Sequence, residues 1–142
     1  MLPESAAQRK RIIVTGGVGF IGSNFAEQSI AEGNIVTIDL LTHADNQAEL
    51  EPNSRHAFVH GDICDAVAVT ELFREFRAYE IVHFAAESHV DRSIVNPGAL
   101  IRTNVQGPLP LLQQAKTVPV QPPRPALITW FAPTFTPAAF QP

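Results

Sequence analysis

The sequence predicts an α/β fold in which a parallel β-sheet has helices on both of its faces. Short apolar, β-branched segments alternate with segments of helical periodicity between residues 10 and 115. The first of these strands is followed by a glycine-rich turn that leads directly into a helix. Both observations are typical of parallel sheets built from β-α-β units.

The first strand is predicted at residues 12–15, and the glycine turn and first helix follow it. The turn has the spacing Gly16-x-x-Gly19-x-x-Gly22. Gly16 permits a tight turn, Gly19 lets a pyrophosphate approach the backbone, and Gly22 lets the helix pack closely. The amides at the helix N-terminus are suited to binding phosphate. This context favours a dinucleotide-binding loop, and a purely structural turn is the alternative.

The second strand is predicted at residues 35–39, after a helix that Gly33 is expected to terminate. Asp39 ends this strand 23 positions after Gly16. An acidic residue about 20 positions into such a unit accepts hydrogen bonds from the adenosine ribose. A carboxylate there repels a 2′-phosphate, so Asp39 favours NAD over NADP. The alternative is that Asp39 caps the loop that follows.

The third strand is predicted at residues 57–60, and a helix of apolar periodicity follows it. Asp62 lies between them, where it either caps that helix or contacts an adenine ring. Cys64 is interpreted as a small core residue, because no histidine or other base lies beside it in the sequence.

The fourth strand is predicted at residues 80–84, with His83 as a core histidine, and it opens into the polar segment 85–93. Residues 96–115 predict a long helix with a kink or break near Gly107, because Pro108 and Pro110 lack backbone donors. Together the elements predict a four-stranded parallel sheet of order 3-2-1-4, which is a partial Rossmann domain.

Composition excludes several classes of function. The 142 residues have a formal net charge of −4, which provides no basic surface for nucleic acid. No apolar run reaches the length of a membrane span. The single cysteine forms no intrachain disulfide or cysteine zinc site, and no metal site is predicted. A reducing, cytoplasmic location is expected.

The chain is predicted to have two regions, a cofactor-binding domain at residues 10–115 and a proline-rich tail at residues 116–142. All 14 acidic residues lie at or before Asp91, whereas ten of the 12 prolines lie at or after Pro97. Residues 126–131 are strand-like and are expected to add a fifth parallel strand beside the fourth. A disordered tail is the alternative.

Three segments resemble the dTDP-glucose 4,6-dehydratases of the extended short-chain dehydrogenase/reductase family: residues 13–23 (IVTGGVGFIGS), 60–64 (HGDIC) and 83–94 (HFAAESHVDRSI). The resemblance covers roughly residues 10–115 and implies NAD as cofactor, dTDP-glucose as substrate and a homodimer. It implies a substrate contact for Ser88. The implied cofactor contacts are Gly16, Gly19, Phe20, Ile21, Gly22, Asp39, Thr42, Asp62, Ile63, Ala85, Ala86, Glu87 and Thr103.

The resemblance implies an internal redox cycle, in which NAD takes a hydride from C4 of the glucose, water leaves across C5 and C6, and the hydride returns to C6. The family performs it with a Tyr-x-x-x-Lys pair and a Thr-Asp-Glu segment. Here the residue four positions after the single tyrosine, Tyr79, is His83, and no acid follows Asp91. We therefore expect the NAD-binding half without its catalytic residues. The alternatives are a non-catalytic NAD-binding fragment and a related nucleotide-sugar epimerase or dehydratase.

Overall fold

The chain forms one five-stranded sheet in which every strand pair is parallel. A computed structural model describes residues 10–41, 53–78, 80–88, 90–117 and 128–130. The strand order is β3-β2-β1-β4-β5. The strands are β1 Lys10–Thr15, β2 Gly33–Asp39, β3 His56–His60, β4 Glu80–His83 and β5 Ile128–Trp130. The predicted order 3-2-1-4 and the predicted fifth parallel strand are both confirmed.

Helices connect the strands and extend beyond β4. They are α1 Phe20–Ser29, α2 Ala66–Phe76, α3 Val90–Val95, α4 Pro97–Ile101 and α5 Pro108–Ala115. Between α4 and α5 the chain forms a π-helical turn at Arg102–Gln106, named the π segment below. Parallel strands need such crossover connections, because a tight turn cannot join them.

Two apolar cores lie on opposite faces of the sheet. Alternate residues of β1 point to opposite faces, so Ile12 and Val14 pack with Ala26 of α1, while Ile13 packs with Val69 of α2. The second face also includes Leu111 of α5, which is 2% exposed. The prediction of helices on both faces is therefore confirmed.

The predicted break in the long helix is confirmed and takes the form of the π segment. Gly107 N–H donates to the carbonyl of Arg102, five residues earlier, at 2.8 Å. Pro108 and Pro110 have no N–H for the carbonyls four residues before them, and a proline ring clashes with that carbonyl in a regular helix. Widening the turn by one residue avoids this clash, and α5 then begins at Pro108, where a missing donor is tolerated.

Two local expectations are wrong, and one helix was missed. Gly33 does not terminate α1; it begins β2 beside Lys10, and a Cβ on it would lie 2.3 Å from the Lys10 carbonyl oxygen. Asp62 does not cap α2, because Asp65 does so through hydrogen bonds from the amides of Val67 and Ala68. No helix was predicted in the polar segment 85–93, yet α3 begins within it and spans Val90–Val95.

The helices after β4 expose many apolar side chains. Ile94 is 75% exposed, Val105 62% and Leu109 54%. Within the described ranges, no helix is both long and apolar enough to cross a bilayer.

Candidate functional site

The candidate site lies at the carboxyl edge of the sheet, where four loops leave neighbouring strands. Backbone pairing continues one residue past three strand ends: Gly16 N–H donates to the Ile38 carbonyl at 2.9 Å, and Phe84 N–H donates to the Thr15 carbonyl at 3.0 Å. Gly61 N–H donates in the same way to the Asp39 carbonyl at 3.0 Å. The chain order reverses direction between β1 and β4, and ligands of open α/β sheets bind at such a switch point.

The glycine loop after β1 is shaped by close backbone contacts. Gly16 has φ +66°, and a Cβ on it would lie 2.6 Å from the amide nitrogen of Ala85. A Cβ on Gly22 would lie 2.1 Å from the Gly16 carbonyl oxygen. These two positions therefore require glycine, the first for its backbone conformation and the second for the packing of α1 on the loop.

The N-terminus of α1 opens toward solvent at the same edge. Gly19 is its N-cap residue and is exposed, and a Cβ there would meet only the Gly16 carbonyl, at 3.3 Å. Phe20 and Ile21 are 87% and 60% exposed. The first-turn amides have no carbonyl partner within the helix, and no acidic side chain lies in that turn. This helix end is therefore chemically suited to an anionic group.

Asp39 connects the end of β2 to the glycine loop. One carboxylate oxygen accepts a hydrogen bond from Val18 N–H at 3.1 Å, and the other accepts from Leu41 N–H at 2.9 Å. The second bond is the loop cap that we considered as an alternative. Each carboxylate oxygen has two acceptor sites, so Asp39 retains capacity for ligand hydroxyls.

The exit of β4 is held by a buried pair that sequence reasoning missed. Thr15 Oγ1 lies 2.5 Å from His83 Nδ1 and also accepts a hydrogen bond from Ala85 N–H at 3.3 Å. Thr15 Oγ1 accepts a hydrogen bond from Ala85 N–H through one of its lone pairs. The hydroxyl proton of Thr15 is also satisfied if it is donated to an unprotonated Nδ1 of His83. Burial lowers the pKa of His83 below its ordinary value of 6.5, which favours this neutral form.

The exit of β3 contacts the π segment. Asp62 accepts a hydrogen bond from Cys64 N–H at 2.8 Å and pairs with Arg102 Nη2 at 2.7 Å. The Cys64 thiol donates to the Arg102 carbonyl at 3.3 Å. Burial raises the pKa of the Cys64 thiol, which keeps the proton for this bond.

The loop after β4 is fixed by one asparagine of the π segment. Asn104 accepts from Glu87 N–H at 2.8 Å and donates from its Nδ2 to the Glu87 carbonyl at 2.9 Å. Two bonds to a single residue define both the position and the orientation of that stretch of backbone. No sequence signal distinguishes Asn104, because it lies among the polar residues Arg102, Thr103 and Gln106.

The structure brings most of the predicted contact residues to this edge. Ala85 lies against Gly16, and the next residues along the chain, Ala86 and Ser88, are exposed. Thr103 lies in the π segment. Ile63 is 5% exposed and belongs to the core, so its side chain packs inward. Thr42 lies outside the described residues.

Among the residues that the structure describes, acidic, histidine and cysteine side chains do not assemble into a metal-binding cluster. Across the described part of the chain, no group of three or more such residues has the required geometry. The polar groups of the edge include the backbone amides at the start of α1 and the Asp39 carboxylate beside them. Amides suit a phosphate and a carboxylate suits sugar hydroxyls, so the arrangement matches the chemistry of a nucleotide.

The fold and this edge define a Rossmann-type α/β protein. The model of the GDP-mannose 4,6 dehydratase family matches residues 13–127. The chain belongs to that family.

Relatives within the family are dTDP-glucose 4,6-dehydratases, and solved structures share the fold. The enzyme of Xanthomonas campestris pv. campestris is 50% identical over 108 residues, which is 73% of this chain and 31% of the relative. DesIV, a dTDP-glucose 4,6-dehydratase from Streptomyces venezuelae solved with NAD and TYD bound, has a TM-score of 0.67 and 43% identity. That match covers 76% of this chain and 36% of DesIV.

A UDP-glucose 4-epimerase has the same architecture. The Thermus thermophilus enzyme, solved as a complex with NAD, has a TM-score of 0.69 and 33% identity. The match covers 78% of this chain and 35% of the epimerase. This chain therefore spans about a third of the length of the proteins it resembles.

Proposed function

We propose that the carboxyl edge of the sheet binds NAD. The observation on which this depends is the position of Asp39, whose carboxylate is hydrogen-bonded to Val18 of the glycine loop. That bond supports the proposal, because Asp39 would then accept hydrogen bonds from ribose hydroxyls next to the helix N-terminus that suits the pyrophosphate. NAD, when bound, supplies a hydride acceptor.

The residues of this chain would bind and orient the two halves of NAD. The first-turn amides of α1, at Phe20 and Ile21, would donate to the pyrophosphate. Asp62 would lie on the adenine side, whereas Ala85 and Glu87 would line the nicotinamide side. Ser88 is exposed beyond them and would face a sugar substrate.

Titration calorimetry with NAD and NADP tests this proposal. We expect the parent chain to bind NAD more tightly than NADP, because the Asp39 carboxylate repels a 2′-phosphate. Asp39→Asn retains an acceptor oxygen and removes the charge, so it should weaken NAD binding and reduce the preference. Asp65→Asn is the matched control, because Asp65 caps α2 on the exposed surface. Equal affinity of the parent chain for NAD and NADP would contradict the assignment.

We further propose that the protein contributes the NAD-binding part of a nucleotide-sugar dehydratase acting on dTDP-glucose. The support is the set of dTDP-glucose 4,6-dehydratases that resemble this chain, at 50% identity for the Xanthomonas enzyme. The 4,6-dehydration is expected to need a tyrosine–lysine pair and a dehydration acid in addition to the residues described here. A non-catalytic NAD-binding module is the second candidate, favoured by the histidine four positions after Tyr79.

Incubation of the chain with dTDP-glucose and NAD, followed by the same assay on a longer chain, separates these candidates. We expect no 4-keto-6-deoxy product from this chain alone, because loss of a general acid or base slows a reaction by about 10²–10⁴-fold. Product formation at ordinary enzyme rates would contradict that expectation. A chain that binds NAD without turnover agrees with both candidates. Recovery of activity in a longer chain that adds Tyr-x-x-x-Lys and Thr-Asp-Glu would then support the dehydratase assignment.

A further inference from the structure

The π segment contacts the β3 exit at its Arg102 end. Arg102 Nη2 pairs with Asp62 Oδ2 at 2.7 Å, and the Arg102 carbonyl accepts the Cys64 thiol proton at 3.3 Å. Asp62 in turn accepts from Cys64 N–H at 2.8 Å. These three residues therefore form a closed ring of hydrogen bonds in which both the side chain and the backbone of Arg102 take part.

A packing contact connects the same loop with the other end of the π segment. A Cβ on Gly107 would lie 2.6 Å from Ile63 Cδ1 and 2.5 Å from the Thr103 carbonyl oxygen. The turn therefore rests directly on Ile63, between Asp62 and Cys64. Both ends of the π segment therefore contact the loop that leaves β3.

The same turn holds the β4 exit through Asn104. Its side-chain amide makes two hydrogen bonds to the backbone of Glu87, at 2.8 and 2.9 Å. Arg102 and Asn104 are two positions apart, and the Gly107 N–H bond to the Arg102 carbonyl closes the turn that contains both. Arg102 and Asn104 therefore belong to one hydrogen-bonded turn.

We propose that the π segment couples the adenine side and the nicotinamide side of the cleft, with Arg102 and Asn104 as its two positioning residues. This inference rests on the proposed NAD site for its functional meaning. An adenine nucleotide at the β3 exit restricts the motion of Asp62. Because Asp62 is paired with Arg102, the π segment is restricted as well. Asn104 of that segment then restricts the backbone at Glu87. The β4 exit is thereby fixed before the nicotinamide half of the ligand is in place.

The mechanical connection is tested first without any ligand. In Arg102→Ala, NMR-detected hydrogen exchange should be at least roughly fivefold faster at the Glu87 amide, although its direct partner Asn104 is unchanged. Arg74→Ala is the matched control, because it removes an exposed arginine–carboxylate pair from α2. Faster exchange confined to the Cys64 amide would overturn the proposal. Arg102→Met retains the apolar stem and repeats the test if the alanine variant does not fold.

The transmission is then tested with AMP, which has the adenine half and no nicotinamide. AMP should slow exchange at the Glu87 amide in the parent chain but not in Arg102→Ala or Arg102→Met. Gln114→Ala on the adjoining α5, which loses its amide hydrogen bond to Thr70 of α2, should respond like the parent chain. An equal AMP effect at Glu87 in the parent and in the Arg102 variants would overturn the coupling. If AMP and NAD fail to bind the parent chain, the proposed function is wrong. The ligand-free exchange at the Glu87 amide still tests whether Arg102 and Glu87 are mechanically connected.

Discussion

The exits of β1 and β4 lie side by side at the carboxyl edge, but the chain holds them in different ways. At β1 the loop depends on missing side chains, since a Cβ on Gly16 or Gly22 would overlap backbone atoms. At β4 the loop depends on side-chain hydrogen bonds, between Thr15 and His83 and between Asn104 and Glu87. The β1 exit therefore depends on close backbone packing in addition to the Asp39 bond to Val18, whereas the β4 exit depends on polar partners.

This difference determines how each loop responds to change. A tightly packed backbone has no space for an added methyl group, so replacing a glycine of this loop should cause a large loss of folding stability. A hydrogen-bonded pair loses strength gradually as a group gains a proton or its partner moves.

Gly22→Ala should destabilise the fold by about 3 kcal/mol, the upper part of the range for overpacking. Its Cβ would lie 2.1 Å from the Gly16 carbonyl oxygen, and backbone must move to make room. Urea unfolding measures the loss. Gly98→Ala in α4 is the control, because a Cβ there would meet only Asn96 Oδ1 at 3.5 Å. That variant should be neutral or more stable by about 0.5 kcal/mol. Similar losses in both variants would show that the loop has no special requirement for glycine.

Acidification should weaken the β4 exit through His83. The pKa of His83 is lowered in the folded state, so the unfolded chain takes up the proton more readily. The stability that comes from neutral His83 is therefore complete above pH 6.5 and is lost as the pH falls toward the lowered folded pKa. Urea unfolding at a series of pH values between 7.5 and 5 measures this slope.

Two histidine variants identify the source of that slope. In His83→Asn an amide oxygen can accept the Thr15 proton without titrating, so the slope should become shallower. His56 contributes in the same direction, because burial also lowers its pKa. His60→Asn is the control, since His60 is exposed and bonds only the Leu40 carbonyl among the described contacts. An unchanged slope in His83→Asn would show that His83 is not the responsible group.

Much of the fold could be predicted, because its signals are local. Apolar β-branched runs placed β1 to β4 within two residues of their observed bounds. The position of β5 followed from the open edge beside β4, which a later strand-like segment could cover. α3 was missed because its exposed residues 90–95 have no buried face to generate a helical pattern.

The sequence by itself determined the sheet order, the glycine loop and the break in the long helix. Each depends on short-range properties: strand and helix periodicity, the conformational range of glycine and the missing amide of proline. Only the tertiary structure decided which polar groups meet. Thr15 and His83 are separated by 68 positions, and Asp62 and Arg102 by 40. Such pairs form because parallel strands bring distant strand ends to one edge, and the π segment then lies across them. No local pattern specifies those partners, since side-chain hydrogen bonds depend on distances that only the packed sheet and helices establish.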